Sequence, residues 1–430
     1  MSELLAALPP TLASSAVLPG SRAYGAAQHS YTYRGAPAAI LYPGSADEVA
    51  QALTVATTYG ERFSVRSGGH GISGRSTNDG GVVIDLTRLN GVEIEDAAAG
   101  TVRIGAGNRW GPVARALAPS GLAITSGDSG DVGVGGLATV GGIGLLARRD
   151  GLTIDRVTGA EIVVADGRVV WTDADHEPEL FWGIRGAGPN LGVVTSLRFR
   201  AAHLRGVGHA DLVYDWPSLE AGLPAWAEVV LASPREVNAF LYAVRGPRGV
   251  RAMVQALVAT DDEQEIQTML QPFVDVPGAV NAQARITTYD QVVPYGGHPH
   301  SGQAGGPVRS ALLNEIDAGT GRDLDGVLAA GADMVQIRPV GGAVNDIAPD
   351  ATAYAHRHQQ FAVMASGRAP FDTAWAPVLA RADGLYLNFD NSGDPALVEL
   401  AYPGQTRTRL RALKAVWDPA DLFRENFPIV

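Results

Sequence analysis

Apolar positions in the first 200 residues switch between helical spacing and short continuous runs. Ser45-Ala46-Asp47-Glu48 reads as a capping box ahead of Val49, Ala52, Leu53 and Ala56, and the helix they predict ends at Gly60. Residues 63–66 predict a short strand and 82–86 a buried one. Residues 110–119 carry helical spacing that runs out near Gly121. The runs 161–165 and 168–172 flank Asp166-Gly167, a two-residue hairpin turn, and 192–200 closes this part as a strand. From about residue 205 strand-like runs at 212–216, 237–244, 252–259, 334–340 and 358–365 alternate with helical stretches such as 262–273, and a glycine-rich loop spans 295–306. That alternation predicts an α+β domain with a mostly antiparallel sheet.

Length and composition narrow the chemistry. At 430 residues two domains are the expectation. Residues 60–151 hold 22 of the 53 glycines, which points to backbone brought close to a ligand or held at positive φ. The absence of cysteine excludes disulfides, thiol nucleophiles, thiolate-held zinc, iron–sulfur clusters and c-type haem. Lys414 is the one lysine; it lies in a stretch that predicts a surface helix and lacks the glycine loop of a phosphate-binding lysine. A net charge of −12 without basic runs disfavours nucleic acid and anionic membranes as partners. No apolar run reaches the ~18 residues of a spanning helix, and the first residues lack a basic segment before an apolar core, so a cytoplasmic location is expected.

Several local motifs fail on context. Gly127-Asp128-Ser129-Gly130 matches the nucleophile sequence of chymotrypsin-like proteases, which are all-β, disulfide-bonded folds unlike this one. The segment 133–138 fits G-x-G-x-x-A with Asp155 downstream, but no strand precedes it, as a nicotinamide dinucleotide site requires. His298-Pro299-His300 and His356-Arg357-His358 each offer two metal ligands without a third at a recognisable spacing, so no metal is expected. The strongest local signal is the segment 64–71, Ser-Val-Arg-Ser-Gly-Gly-His-Gly, where a strand runs into small residues and gathers backbone N–H groups as an anion nest does. Residue types alone leave open whether this is such a nest, with His70 a nucleophilic nitrogen, or an ordinary strand–turn.

Arg66-Ser67-Gly68-Gly69-His70 resembles the flavin-attachment motif of FAD-linked oxidases with the vanillyl-alcohol-oxidase/p-cresol-methylhydroxylase fold, most closely the berberine-bridge-enzyme-like branch. Blocks at 77–86, 132–136 with Gly141-Gly142, 180–195, and 386–389 with Trp417-Asp418-Pro419 agree in the same order, so the resemblance covers about 36–200 and 385–430. It implies an α+β protein: a two-subdomain FAD-binding domain (1–204, returning at 385–430) and a substrate domain (205–384) whose mostly antiparallel sheet is covered by helices.

The resemblance also implies roles. Backbone amides of Arg66, Ser67, Gly68, Gly69, His70 and Gly71, and of the 132–142 block with Gly133, Gly136, Gly141 and Gly142, would hold the FAD pyrophosphate with no arginine or lysine required. Val194 would meet the adenine end and Asn388 the flavin side. His70 would bond to the flavin 8α-methyl group. Many members add a second bond from a cysteine; Ser129 stands at that position, which implies a single histidyl linkage. Val132 occupies the approach to the flavin, where valine is associated with oxygen reactivity, so O2 is the implied acceptor and hydrogen peroxide the product. The implied reaction is hydride transfer from a small alcohol-type molecule of secondary metabolism. Tyr386, in a Y-x-N segment, is the first candidate base and Tyr242 the second. Where some members carry a glutamate, Gln336 stands here; it shares a strand face with Arg338, so both are expected to contact substrate. A flavin dehydrogenase or an oxygenating cyclase on the same scaffold is the alternative. A flavin carrier without turnover is the reading outside enzymes.

Overall fold

The computed structural model describes residues 6–58, 62–297, 300–302 and 305–429; Gly60 and His298, named above, lie outside them. The fold is α+β, with three main sheets. The first is parallel: the strand Val82–Asp85 lies between Ala39–Leu41 and Phe63–Arg66. All four of its central residues are buried, which explains a continuous apolar run in place of an alternating one. The connecting helix Ala46–Thr58 buries Val49, Ala52, Leu53 and Ala56. Its N-terminus is closed by Ser45, which accepts from the Glu48 amide, while Glu48 accepts from Gly44.

The second sheet is antiparallel, with strands in the order Val92–Asp96, Thr101–Gly105, Val193–Arg200, Val157–Val163 and Val169–Asp173. Its hairpin forms at the predicted place with a three-residue loop, 165–167, in place of the two-residue turn: Val164 donates to the Arg168 carbonyl, Gly167 donates to the Val164 carbonyl, and Gly167 alone takes positive φ, +85°.

The third sheet has seven antiparallel strands, in the order Ala279–Thr287, Val207–Trp216, Gly249–Val258, Val237–Gly246, Ala332–Pro339, Phe361–Gly367 and Val308–Leu313. Helices Leu219–Ala232 and Ala318–Ala329 pack on one face, where Leu241, Val335, Ile337 and Val363 join a core of their own with Trp226, Leu324 and Val327. The alternate residues of the same strands point the other way, toward a larger core built from the first two sheets and the chain after Leu385. The edge strand Ala279–Thr287 is not among the predicted strands although Val280, Ala282, Ala284 and Ile286 alternate with polar residues; it is exposed nearly throughout. No described helix is long and apolar enough to cross a membrane.

Lys414 corrects the surface-helix expectation. Helix Gly404–Trp417 forms, but Lys414 is 2% exposed. Its ammonium donates to the Asn190 carbonyl at 3.1 Å, the Phe423 carbonyl at 3.1 Å and Asp418 at 2.7 Å, with Asp421 2.9 Å away. It thereby fastens the C-terminal segment to the body. Lys414→Met is expected to strand the buried Asp418 carboxylate and cost about 3–5 kcal/mol, read as a lowered midpoint in urea unfolding. A midpoint equal to wild type would remove that role.

Candidate active site

A long cleft in two lobes has open volumes of about 750 and 1450 Å³; the smaller lobe lies between the first two sheets and the chain's C-terminal segment, and the larger reaches the third sheet. The floor of the cleft is the glycine-rich stretch. The strand Phe63–Arg66 ends in the turn at Ser67, with Gly69 at φ +69°. Gly68 and Gly133 meet backbone to backbone: a Cβ on Gly133 would stand 2.1 Å from the Gly68 nitrogen, and one on Gly68 2.4 Å from the Gly133 nitrogen. Two sequence blocks 65 positions apart therefore form one surface, which only glycine permits. Gly71 and Gly136 are different. A Cβ on either would meet nothing within 4 Å and would project into open space, and both line the larger lobe.

His70 lies in that lobe, stacked on Tyr31 at 4.2 Å between ring centres. His300 stands edge-on to it at 5.6 Å and donates through Nε2 to the Gly68 carbonyl at 2.7 Å. Burial first, then the neighbouring His300, pulls the His70 pKa down to about 4. At neutral pH its imidazole is uncharged and keeps a free ring lone pair. Arg66 turns away from the cleft. Its guanidinium donates to buried Asp85 at 2.6 Å and to the His29 carbonyl at 3.2 Å. The Ser67 hydroxyl is likewise engaged, donating to the Ala106 carbonyl at 2.6 Å and accepting from the Gly135 amide at 3.2 Å.

The facing wall comes from the seven-stranded sheet. Tyr242, Gln336 and Met364 are adjacent in register across three strands, and Met334 and Arg338 extend the row along the Gln336 strand. These polar residues converge on Asp128, which the tetrapeptide reading set aside. Its Oδ2 accepts from Tyr242 at 2.7 Å, Arg338 at 2.8 Å and Gln336 at 3.2 Å. Arg338 is fixed by a second bond to the Ile143 carbonyl and by the rings of Phe240 and Phe389 at 4.8 and 4.6 Å. Burial alone would raise the Asp128 carboxyl, but the Arg338 guanidinium and the Tyr242 hydroxyl outweigh it and hold it below the usual carboxylate range. Burial, then the Asp128 charge, pushes the Tyr242 phenol well above its usual value. The signal available in the sequence was a carboxylate inside a glycine-rich run, but its partners lie more than 110 residues away.

Tyr386 closes the inner end of this lobe. Its hydroxyl oxygen accepts from the Gly142 amide and from Asn388 Nδ2, both at 3.0 Å. Burial raises its pKa and outweighs these two donors. The Gly142 amide is thus committed to Tyr386. Gly141 is packed under the same ring, where a Cβ would stand 2.8 Å away. Ser129 and Val132 line the lobe beside Asp128, and Asn388 lines it beside Tyr386. Val194 lines the smaller lobe, whose walls are Phe63, Leu86, Val193, Leu422 and Phe423. Four buried polar atoms on cleft-lining residues have no partner: Arg75 Nε, Ser76 Oγ, Arg338 Nε and Asn426 Oδ1. His356 and His358 do not converge. His356 donates to the Ala401 carbonyl at 3.0 Å, His358 faces Asp383, and no group of three or more ligating side chains occurs among the described residues.

Residues 37–173 match a family described as FAD binding domain. The chain is 30% identical over 431 aligned residues to chitooligosaccharide oxidase from Gibberella zeae, covering 90% of this chain and 86% of that one. It is 40% identical over 195 residues to (R)-6-hydroxynicotine oxidase from Paenarthrobacter nicotinovorans, a match spanning 45% of this chain and 40% of that protein. The solved chitooligosaccharide oxidase superposes with a TM-score of 0.85 at 26% identity, covering all of this chain and 98% of that one.

Proposed function

The chain belongs to the FAD-linked oxidases of the vanillyl-alcohol-oxidase/p-cresol-methylhydroxylase fold, in the berberine-bridge-enzyme-like branch, and from that premise we propose that it oxidises a small alcohol through FAD bonded once, to His70. The residues present fit the cofactor. The cleft is long and two-lobed, and Gly71 and Gly136 leave open the space a side chain would fill. The smaller lobe, apolar with Val194 in its wall, suits the adenine, and the larger one suits the flavin. His70 is held neutral beside that larger space, as a nucleophilic nitrogen must be. Ser129 has no sulfur to form a second bond. A core lying wholly within residues 210–378 supports the division at about 204 and 385, and the larger core reaches across it at Phe240, Leu257, Leu312 and Tyr354.

The chemistry that FAD supplies when bound is acceptance of a hydride and reoxidation by O2 with release of hydrogen peroxide. The chain must supply a proton acceptor and a way to orient the alcohol. The observation that carries this reading is the Tyr242–Asp128–Arg338 array, facing the same lobe as His70. The Tyr242 O–H already points at an ionised carboxylate, so its oxygen accepts the substrate hydroxyl proton as its own proton passes to Asp128. Tyr386 holds the other side. With two N–H donors on its oxygen, its own O–H is polarised to donate to the substrate. The same two donors would steady a phenolate, which favours a second reading with Tyr386 as base; the pH profile separates the two. Met334, Met364, Leu137, Val140 and Ile143 in the lobe favour a substrate with an apolar body.

The test is anaerobic mixing of purified protein with a panel of alcohols: N,N′-diacetylchitobiose, chosen from the relative's name, and apolar benzylic and secondary alcohols. An apolar alcohol is expected to bleach the flavin absorbance, and readmitted air to restore it with one peroxide per alcohol consumed. Bleaching without peroxide would make the protein a dehydrogenase. Flavin reduced by dithionite but by no member of the panel would favour a carrier.

A further inference from the structure

Six residues line both lobes of the cleft and so mark its waist: Val65, Ser67, Arg75, Gly136, Pro189 and Asn426. Arg75 is the one charged side chain among them. It is held in place, with Nη1 donating to the Glu425 carbonyl at 2.7 Å and the guanidinium 4.9 Å from the centre of the Phe427 ring. Its capacity is not used up, because Nε is buried without a partner. No carboxylate lies within ion-pairing distance of it among the described residues; Glu425 turns its carboxylate to Arg62, at 2.9 Å, and only its carbonyl to Arg75. Burial lowers the Arg75 pKa and outweighs the pull of the Glu425 carboxylate, which Arg62 already pairs, so a half-buried guanidinium is costly to hold in that position unless something anionic joins it.

The waist is where an anion is due. A dinucleotide with its flavin in the His70 lobe and its adenine in the Val194 lobe passes its pyrophosphate between them. We propose that Arg75 is a cofactor-binding residue whose guanidinium pairs with the FAD pyrophosphate at the waist of the cleft. The proposal rests on the cleft being the FAD site and departs from a cradle of backbone amides alone. The Ser67 hydroxyl at the same waist is already satisfied, so Arg75 is the side chain there with a charged donor to spare. The planar fork of arginine matches phosphate oxygens.

The experiment needs reversible binding, so it is done in His70→Ala protein freed of flavin, with FAD and riboflavin as probes followed by flavin fluorescence. Adding Arg75→Met is expected to raise the FAD Kd at least tenfold, to leave the riboflavin Kd unchanged, and to flatten the salt dependence of FAD binding. Arg75→Lys should recover part of the loss. An FAD Kd within twofold of the parent, or equal weakening of both probes, would overturn the proposal. Should Arg75→Met not fold, the parent still decides: FAD affinity must fall between 50 and 500 mM NaCl while riboflavin affinity holds, and a salt-insensitive FAD affinity refutes the pairing. A parent that takes up neither probe would instead refute the cleft as the flavin site.

Discussion

Acid-precipitated wild-type protein keeps its flavin in the pellet, and His70→Ala releases all of it to the supernatant: this is the largest effect expected. His70 is stacked in the larger lobe with its pKa pulled down to about 4, so its imidazole is neutral and its lone pair available in the physiological range. Ser129 stands where the resemblance implies a second bond in other members, and its oxygen offers no thioether. Removing one nitrogen should therefore abolish covalency without residue. The variant should still bind FAD, because the Gly68–Gly133 contact and the Arg75 waist do not depend on the imidazole. Flavin washed out of precipitated wild-type protein would refute the linkage outright. Flavin retained by the variant would place the bond elsewhere.

Replacing Asp128 by asparagine is expected to lower kcat by about 10²- to 10⁴-fold, the usual worth of a positioned proton acceptor, with KM changed far less. The carboxylate is the terminus of the only proton path that begins at a cleft-lining hydroxyl and ends on an ionised group among the described residues. Arg338 and Tyr242 hold it below the usual carboxylate range, so it stays ionised at neutral pH. The sign follows directly. The deprotonated form is the active one, so kcat is level through neutral pH and falls only in acid, below the usual carboxylate range. The asparagine variant loses that acid limb. Because it also leaves Arg338 without its counter-charge, Tyr242→Phe serves as the companion: it keeps the ion pair and should cost a similar factor. Tyr386→Phe should cost about tenfold, one hydrogen bond to the substrate. A wild-type kcat that climbs toward pH 10, with Tyr386→Phe inactive and Tyr242→Phe unimpaired, would assign the base to Tyr386.

How much of this was legible in the chain depends on the range of the interaction that carries it. The helix over Ala46–Thr58 and the antiparallel texture beyond residue 205 follow from spacing within a dozen residues and form as expected, while Asp166-Gly167 marks the hairpin but not its loop, which is one residue longer than the dipeptide predicts. Lys414 was misjudged because its sequence neighbourhood is polar and helical, while the acceptors that bury it include a carbonyl from residue 190. The edge strand Ala279–Thr287 does alternate, Val280, Ala282, Ala284 and Ile286 with Asn281, Gln283, Arg285 and Thr287, but two of its four apolar positions are alanine and both faces are exposed, so pairing with Val207–Trp216 rather than burial gives it order. Asp128 stood in plain view inside a misleading tetrapeptide. Its meaning came from Tyr242, Gln336 and Arg338, none of them near it in sequence.

By itself the sequence determined the elements, the absence of thiol chemistry, the glycine-rich blocks and the family they resemble, because each depends on local backbone preference or on residue identity in order. Tertiary structure decided what those residues face. It turned the Arg66 guanidinium away onto Asp85, committed the Gly142 amide to Tyr386, set Arg75 at the waist of the cleft, and joined a loop carboxylate to a sheet tyrosine and arginine. Charge pairing and burial act through space over a few ångströms. Separation along the chain carries no trace of them until the sheets are packed.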